Sequence, residues 1–435
     1  MRNPRLPVWA RYSGFAVALI SAAVVAAPSA GAQDPCALPN ELSTVQAIIS
    51  RTATLNANDV PTATNDPTDP PRGTSPPTGN DRRAEICANR LSAPQTIAVQ
   101  AGTVVVATSG FTSAVMGRLD SVRGQAAAVG TLTSTSSLGA DGLMGLGAGN
   151  KSRISSPGPA SPLTVYAMGT FLGGSRADAP NLFGFDYDAT SGTVGIEYSV
   201  NRNLIVGLAG NYTTTNADVH SGAAIDISAV QAAAYLSYAT RQWFVDALAA
   251  YGSHDLDLVR PGVIDPVRSS TDANVFALAA RGGYLFDFGG LRAGPIAGLT
   301  YIHSRVAGYT EKGDPDLSFT VSAQTIDSLT GSVGLRFLTS FQAGGNLVVP
   351  YLNVMLEHQF GDGARTLMVD QVQTTLFLPI STSFPNFETR TYGRIEGGIT
   401  FQFGPDVSAT VSAASTFARD ESQDFRISTG MNFRF

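Results

Sequence analysis

The sequence predicts an all-β protein, a twelve-stranded antiparallel transmembrane β-barrel with an N-terminal helical and linker segment through or near its pore. Three observations predict it. Only 14% of the 435 residues are charged while 43% are hydrophobic, against about 25% charged in an ordinary globular chain. From about residue 163 to Phe435 the apolar residues recur at every second position, the period of a strand and of a lipid-facing barrel wall. No second long apolar run follows the N-terminus, which argues against a helical membrane protein. The net charge of −6 has the wrong sign for a phosphate polyanion, so no nucleic acid partner is expected.

Arg2, Arg5 and Arg11 precede the apolar stretch from Phe15 to Ala27, and Ala30-Gly31-Ala32 supplies a small-residue cleavage pattern. Residues 1–32 therefore read as a signal peptide. Cys36 and Cys87 are the only two cysteines, both beyond that site and in an oxidising compartment, where a disulfide is expected. Its loop of about 50 residues would be worth about 4 kcal/mol. Residues 33–110 form a short region rich in Pro and Thr, densest from Pro61 to Arg83, with too little apolar surface for a compact fold.

A helical period begins at Phe111, with Val115, Leu119 and Val122 on one stripe, Arg118, Asp120 and Arg123 off it, and Gly124 as the stop. These residues, 111–123, are the candidate pore helix. At about 20 Å it is too short to fill a pore alone. The Gly-, Ala- and Ser-rich remainder to residue 162 reads as a flexible linker.

The twelve expected strands span 163–172, 185–200, 204–218, 224–239, 242–258, 272–288, 291–308, 322–341, 346–360, 387–403, 406–419 and 425–435. Short connections such as Asn201-Arg202-Asn203, Thr240-Arg241 and Gly289-Gly290 alternate with longer ones, the longest running from Gly361 to Asn386. That rhythm fits short periplasmic turns and longer extracellular loops. In the tenth segment Ile395, Ile399, Phe401 and Phe403 share one parity, while Arg390, Arg394 and Glu396 share the other. Segments beyond ten residues suit a tilted membrane strand better than a soluble sandwich.

The lumen is expected to hold Asp246, Arg281, Arg336, Glu357, Arg390, Arg394 and Glu396, whose mixed signs suggest a solvated, weakly selective interior. Aromatic pairs near the short turns, among them Tyr235 with Tyr238 and Trp243 with Phe244, read as an interfacial girdle. In the last segment Phe425, Ile427, Met431, Phe433 and Phe435 alternate with Arg426, Ser428, Gly430, Asn432 and Arg434. That aromatic ending is similar to the C-terminal signal recognised by the barrel-assembly machinery, with strand pairing as the mode of recognition.

The stretch WFVDALAAYGSHDLDLVR from Trp243 to Arg260, then Gly283, Tyr284, Pro295, Tyr301, Gly308, Tyr309, Glu311 and Gly313, and later Gln324, Arg336, Pro350, His358 and Phe360, come in one order. This ordered set resembles the autotransporter β-domain over roughly residues 160–435. The resemblance implies a monomeric twelve-stranded barrel in outer-membrane lipid, delivered by periplasmic chaperones and the assembly machinery, that displays or secretes an N-terminal passenger. Two departures stand out. The passenger region is short and without repeats, and no Asn-Asn pair marks a self-cleavage site, so the passenger is expected to stay attached. Surface display and periplasmic retention of residues 33–110 both stay open.

The alternatives are a small porin with a periplasmic N-terminal segment and a hydrolase at the barrel rim. His220, His254, His303 and His358 are dispersed, which gives no metal site. Ser253, His254, Asp255 and Asp257 could meet at the rim, but no nucleophile elbow is present. No catalytic residue and no cofactor is expected.

Overall fold

The structure, a computed structural model, describes residues 79–136, 162–178, 182–315, 317–343, 346–360, 364–372, 380–385, 390–404, 406–419 and 422–435. Among the described residues the helix α1 (Gly79–Ser136) precedes the strands β1 (Leu163–Arg176), β2 (Phe185–Ser199), β3 (Leu204–Val219), β4 (Ala224–Ala239), β5 (Trp243–Arg260), β6 (Val267–Tyr284), β7 (Phe286–Phe288), β8 (Leu291–Val306), β9 (Tyr309–Thr310), β10 (Phe319–Val321), β11 (Gln324–Thr339), β12 (Phe341–Ala343), β13 (Asn346–Phe360), β14 (Ala364–Gln371), β15 (Ile380–Pro385), β16 (Arg390–Phe403), β17 (Val407–Phe417) and β18 (Gln423–Arg434).

Twelve long strands close the barrel in the order β1-β2-β3-β4-β5-β6-β8-β11-β13-β16-β17-β18, all pairs antiparallel, with β18 returning to β1 through Phe433↔Val165 and Phe425↔Gly173. Closure leaves the wall without a free edge. The short β7 and β12 extend it at the rim of the short turns. There Gly289 and Gly290, at φ 71° and 112°, make a two-residue hairpin turn whose positive φ values other residues resist.

Successive residues point to opposite sides of the wall, and here the sides are inverted relative to a soluble sandwich. Val194, Ile196 and Tyr198 of β2 face outward and exposed, while Thr193 and Glu197 face inward and are buried. The same holds around the ring at Leu278 and Phe276 against Arg281, and at Ile395 and Ile399 against Glu396. Apolar outside and polar inside is the arrangement that lipid selects.

The structure revises four expectations. The helix begins at Gly79, not Phe111, and runs through Gly124 to Ser136, so it takes in part of the expected passenger and part of the expected linker. Its Ser92–Arg123 portion is long and apolar enough to cross a membrane, although no such run was evident among its Thr, Ser and Gly residues. The expected long loop 361–386 contains the β14–β15 hairpin, which joins β10 and β9 in a four-stranded sheet at the long-loop rim. Its alternation is brief, with Leu367 and Val369 buried and Met368 exposed. Finally, Tyr235 and Phe244 are not girdle residues but point inward, 4% and 3% exposed, while Tyr238 and Trp243 face out with rings 5.1 Å apart. An odd separation along a strand puts two side chains on opposite faces.

Candidate functional site

The inward polar groups gather on α1. Ile97, Ala98, Val99, Gln100 and Ala101 are five consecutive buried residues. At about 100° per residue they cover every side of a helix, so the helix is enclosed all round. The buried portion from Ser92 to Arg123 is 32 residues, about 48 Å at 1.5 Å per residue, enough to run the length of the lumen.

The direction of α1 follows from its contacts. At the long-loop rim Thr96 donates to Ser221 (2.9 Å), Tyr309 donates to Gln100 Oε1 (2.8 Å) and Gln324 donates to the Ile97 carbonyl (3.4 Å). Burial pushes the Tyr309 phenol well above its usual pKa, which keeps it a neutral donor. The loops over this rim are tied by a bidentate pair, Arg260 to Glu311 at 2.9 and 2.6 Å, with Phe319 N donating to the same carboxylate at 3.0 Å. Lower down, His254 is fully buried, 2.9 Å from Gln231 Nε2 and 3.4 Å from Thr108 Oγ1. Ser253, Asp255 and Asp257 are exposed on the opposite face of the same strand, so they do not converge with His254.

Toward the short-turn rim α1 is held by charge. Arg118 donates through Nε and Nη2 to the two oxygens of Glu197 at 3.2 and 2.8 Å and lies 4.9 Å over the Tyr166 ring. The Tyr235 hydroxyl lies 3.2 Å from Glu197 Oε1 and 3.0 Å from the Tyr166 hydroxyl. One layer on, the Asp120 carboxylate accepts from Arg123 and Arg336, from Arg281 at 2.8 Å and from Asn353 at 3.1 Å. Arg123 also bonds Asp246, which accepts from Ser237 at 2.7 Å, and its guanidinium sits 4.0 Å over the Phe244 ring. Asp120 and Asp246 are wholly buried and Arg336 is 1% exposed. Charges taken out of water to this degree persist only when each is met by partners. Such multiply bonded pairs orient the helix as well as hold it. Gly117 allows the approach, since a Cβ there would lie 3.1 Å from Glu396 Oε1. Glu396 is itself paired with Arg426 at 2.8 Å.

Of the residues expected in the lumen, Asp246, Arg281, Arg336 and Glu396 converge on the Gly117–Arg123 turn of the helix. Glu357 and Arg394 pair with each other at 2.8 Å nearer the long-loop rim. Arg390 opens β16 opposite Gln359, and its side chain lies outside the described residues. The interior around the ionic layer is not solvated as expected, because α1 occupies the space water would fill. Phe111, Val115 and Leu119 are buried, Val122 is half-buried, and Arg118 and Arg123 carry the ion pairs. Phe425, Ile427, Met431, Phe433 and Phe435 all face outward. Cys87 falls within α1, while Cys36 and the expected disulfide lie outside the described residues. Sequence reasoning passed over the central role of Asp120 and missed its partner Asn353, together with Glu197, Tyr166 and Arg426. The available signal was Asp120 and Arg123 at i, i+3, the spacing at which opposite charges on one helix face can pair.

The autotransporter β-domain family model matches residues 165–414. Among curated proteins, outer membrane protein A of Rickettsia conorii is 24% identical over 264 residues, 54% of this chain and 13% of the relative. Outer membrane protein A of Rickettsia rickettsii is also 24% identical, over 54% of this chain and 12% of the relative. The chain thus matches only about an eighth of the length of these relatives. Among solved structures, the translocator domain of autotransporter NalP from Neisseria meningitidis has a similar fold, with TM-score 0.52 and 17% identity over 65% of this chain and 91% of that one.

Proposed function

This chain belongs to the autotransporter family, and on that premise we propose that its barrel keeps α1 as a fixed plug and presents the residues upstream of Gly79 at the cell surface. The barrel itself is an outer-membrane translocator and anchor. The observation that carries the proposal is the polarity of the helix. Gln100 bonds Tyr309 at the long-loop rim, whereas Arg123 bonds Asp246 three residues into β5 from the short-turn rim. Strand β1 starts at that same short-turn rim, with Leu163 beside Tyr198. The C-terminal end of α1 and the start of β1 therefore share the short-turn side, and the N-terminal end of α1 points to the long-loop side. With short turns periplasmic and long loops extracellular, the upstream residues face outward.

This favours surface display over periplasmic retention, with the displayed segment reduced to about residues 33–78. The ion pairs around Asp120 favour a passenger that stays attached, because withdrawing the helix would strand several buried charges. We also assign the outward row from Phe425 to Phe435 to recognition by the barrel-assembly machinery. An epitope inserted near Asp69 tests the reading. Protease added to intact cells should release it, and release only after the outer membrane is permeabilised would overturn display. The porin reading needs an open lumen, and the enclosure of α1 speaks against it.

A further inference from the structure

A second cluster lies apart from the ionic layer, at the long-loop end of the lumen. There α1 stands away from the wall and leaves a cavity of about 200 Å³ between the helix and β1, β2, β8, β11, β13, β16 and β18. Its apolar lining includes Val99, Val106, Phe183, Phe185 and Ile302. Its polar lining carries three arginines, Arg176, Arg394 and Arg419, against two carboxylates, Glu357 and Asp424.

Both carboxylates are already committed. Asp424 accepts from Arg176 at 2.5 Å, from Arg419 at 3.0 Å and from the Tyr187 hydroxyl, and Glu357 accepts from Arg394 at 2.8 Å. Among the described lining residues the arginines outnumber the carboxylates by one. Arg419 bonds Asp424, reaches Gln359 at 3.4 Å and lies 4.5 Å over the Tyr392 ring, but its side chain is only 7% exposed and its Nε has no partner among the described residues. Burial and the neighbouring Arg176 lower its pKa below the usual guanidinium value. A buried guanidinium with an unmade bond is costly. The preceding Ala418 sustains a left-handed φ of 53°, a conformation that residues with a Cβ adopt only where the surroundings impose it.

The helix side of the cavity is also shaped. Gly102 lines it, and a Cβ there would meet only Phe185 Cε1 at 3.9 Å, an ordinary contact. Glycine in mid-helix is disfavoured relative to alanine, so the space it leaves is not forced by crowding.

We propose that this cavity binds a small amphipathic carboxylate, its acid group at Arg176 and Arg419 and its apolar body between Val99, Val106 and Phe185. Two or three charge-assisted bonds and a short apolar slot suit a ligand of roughly eight non-hydrogen atoms. Hexanoate is such a probe.

The test uses the full chain in lipid nanodiscs, with hexanoate binding read by ligand-observed NMR after subtraction of empty nanodiscs. Binding should saturate. It should weaken about tenfold or more, the loss of one buried ionic contact or of the apolar slot, in Arg419→Gln and in Gly102→Leu. Gly102→Leu fills the slot without touching an arginine and raises helix propensity, so it keeps the test decisive should Arg419→Gln fail to assemble. Hexylamine should not compete. Non-saturating hexanoate signal, unchanged binding in Gly102→Leu, or equal binding of hexylamine would each overturn the proposal.

Discussion

Replacing Asp120 with Asn should loosen the helix more than any other single change in the lumen. The carboxylate is fully buried and receives Arg123, Arg281, Arg336 and Asn353. In the native layer three guanidinium groups face the carboxylates of Asp120 and Asp246; the substitution leaves them only Asp246. Removing one partner of a buried pair costs about 3–5 kcal/mol because the remaining charge stays desolvated. Much of that cost is relieved when the helix leaves its place, so the population of released helix should rise about 10²–10⁴-fold at about 1.4 kcal/mol per factor of ten. Trypsin reads this directly. Arg118 and Arg123 are 6% and 8% exposed, closed to the protease while the helix is seated, and both remain in the variant. Cleavage after them, normalised to the heat-denatured chain, reports the open population when closing is fast relative to cutting. An Asp120→Asn protein cut at the native rate would refute the reasoning.

Other consequences are simpler to check. Arg118→Gln and Glu197→Gln should each raise the same tryptic release, the former read at Arg123, while the double variant should fall short of the summed effects by about 1–3 kcal/mol, since the two groups meet only each other's charge. Arg260→Ala should leave the barrel and its heat-modifiable gel mobility intact yet expose the 261–266 loop to limited proteolysis, because Glu311 loses its bidentate partner; an unchanged digest would contradict it. Deleting Phe435 should reduce the heat-modifiable form in the outer membrane severalfold if the outward aromatic row directs assembly, and undiminished insertion would remove that role. Thiol alkylation of the non-reduced mature chain should leave Cys36 and Cys87 unmodified, and uptake of two labels would rule out the disulfide.

The barrel was legible because a lipid-facing wall repeats one instruction at every second residue. Strands such as 224–239 and 346–360 could be bounded to the residue from their alternation and turns. The helix was not legible in this way. Between Ala93 and Gly110 it has no polar face to mark a period, because the barrel encloses all its sides, and Thr103, Thr108 and Gly102 dilute its apolar character. Only the turn from Phe111 to Arg123, where polar side chains meet the ionic layer, showed the helical repeat. The girdle was misread at Tyr235 and Phe244 for a related reason: proximity to a turn says nothing about which face a side chain takes. As for the site, the wall half was visible as inward charges at Asp246, Arg281 and Arg336. Which of them act together depends on register across nonadjacent strands and on the height of Asp120 in the lumen, neither of which is encoded locally.

The central claim is that the seated helix closes the barrel, and conductance across a planar bilayer tests it most directly. The full chain should be silent apart from rare openings, and the chain lacking residues 33–136 should form a steady open channel. Equal conductance from the two proteins would contradict the plug and return the barrel to a porin.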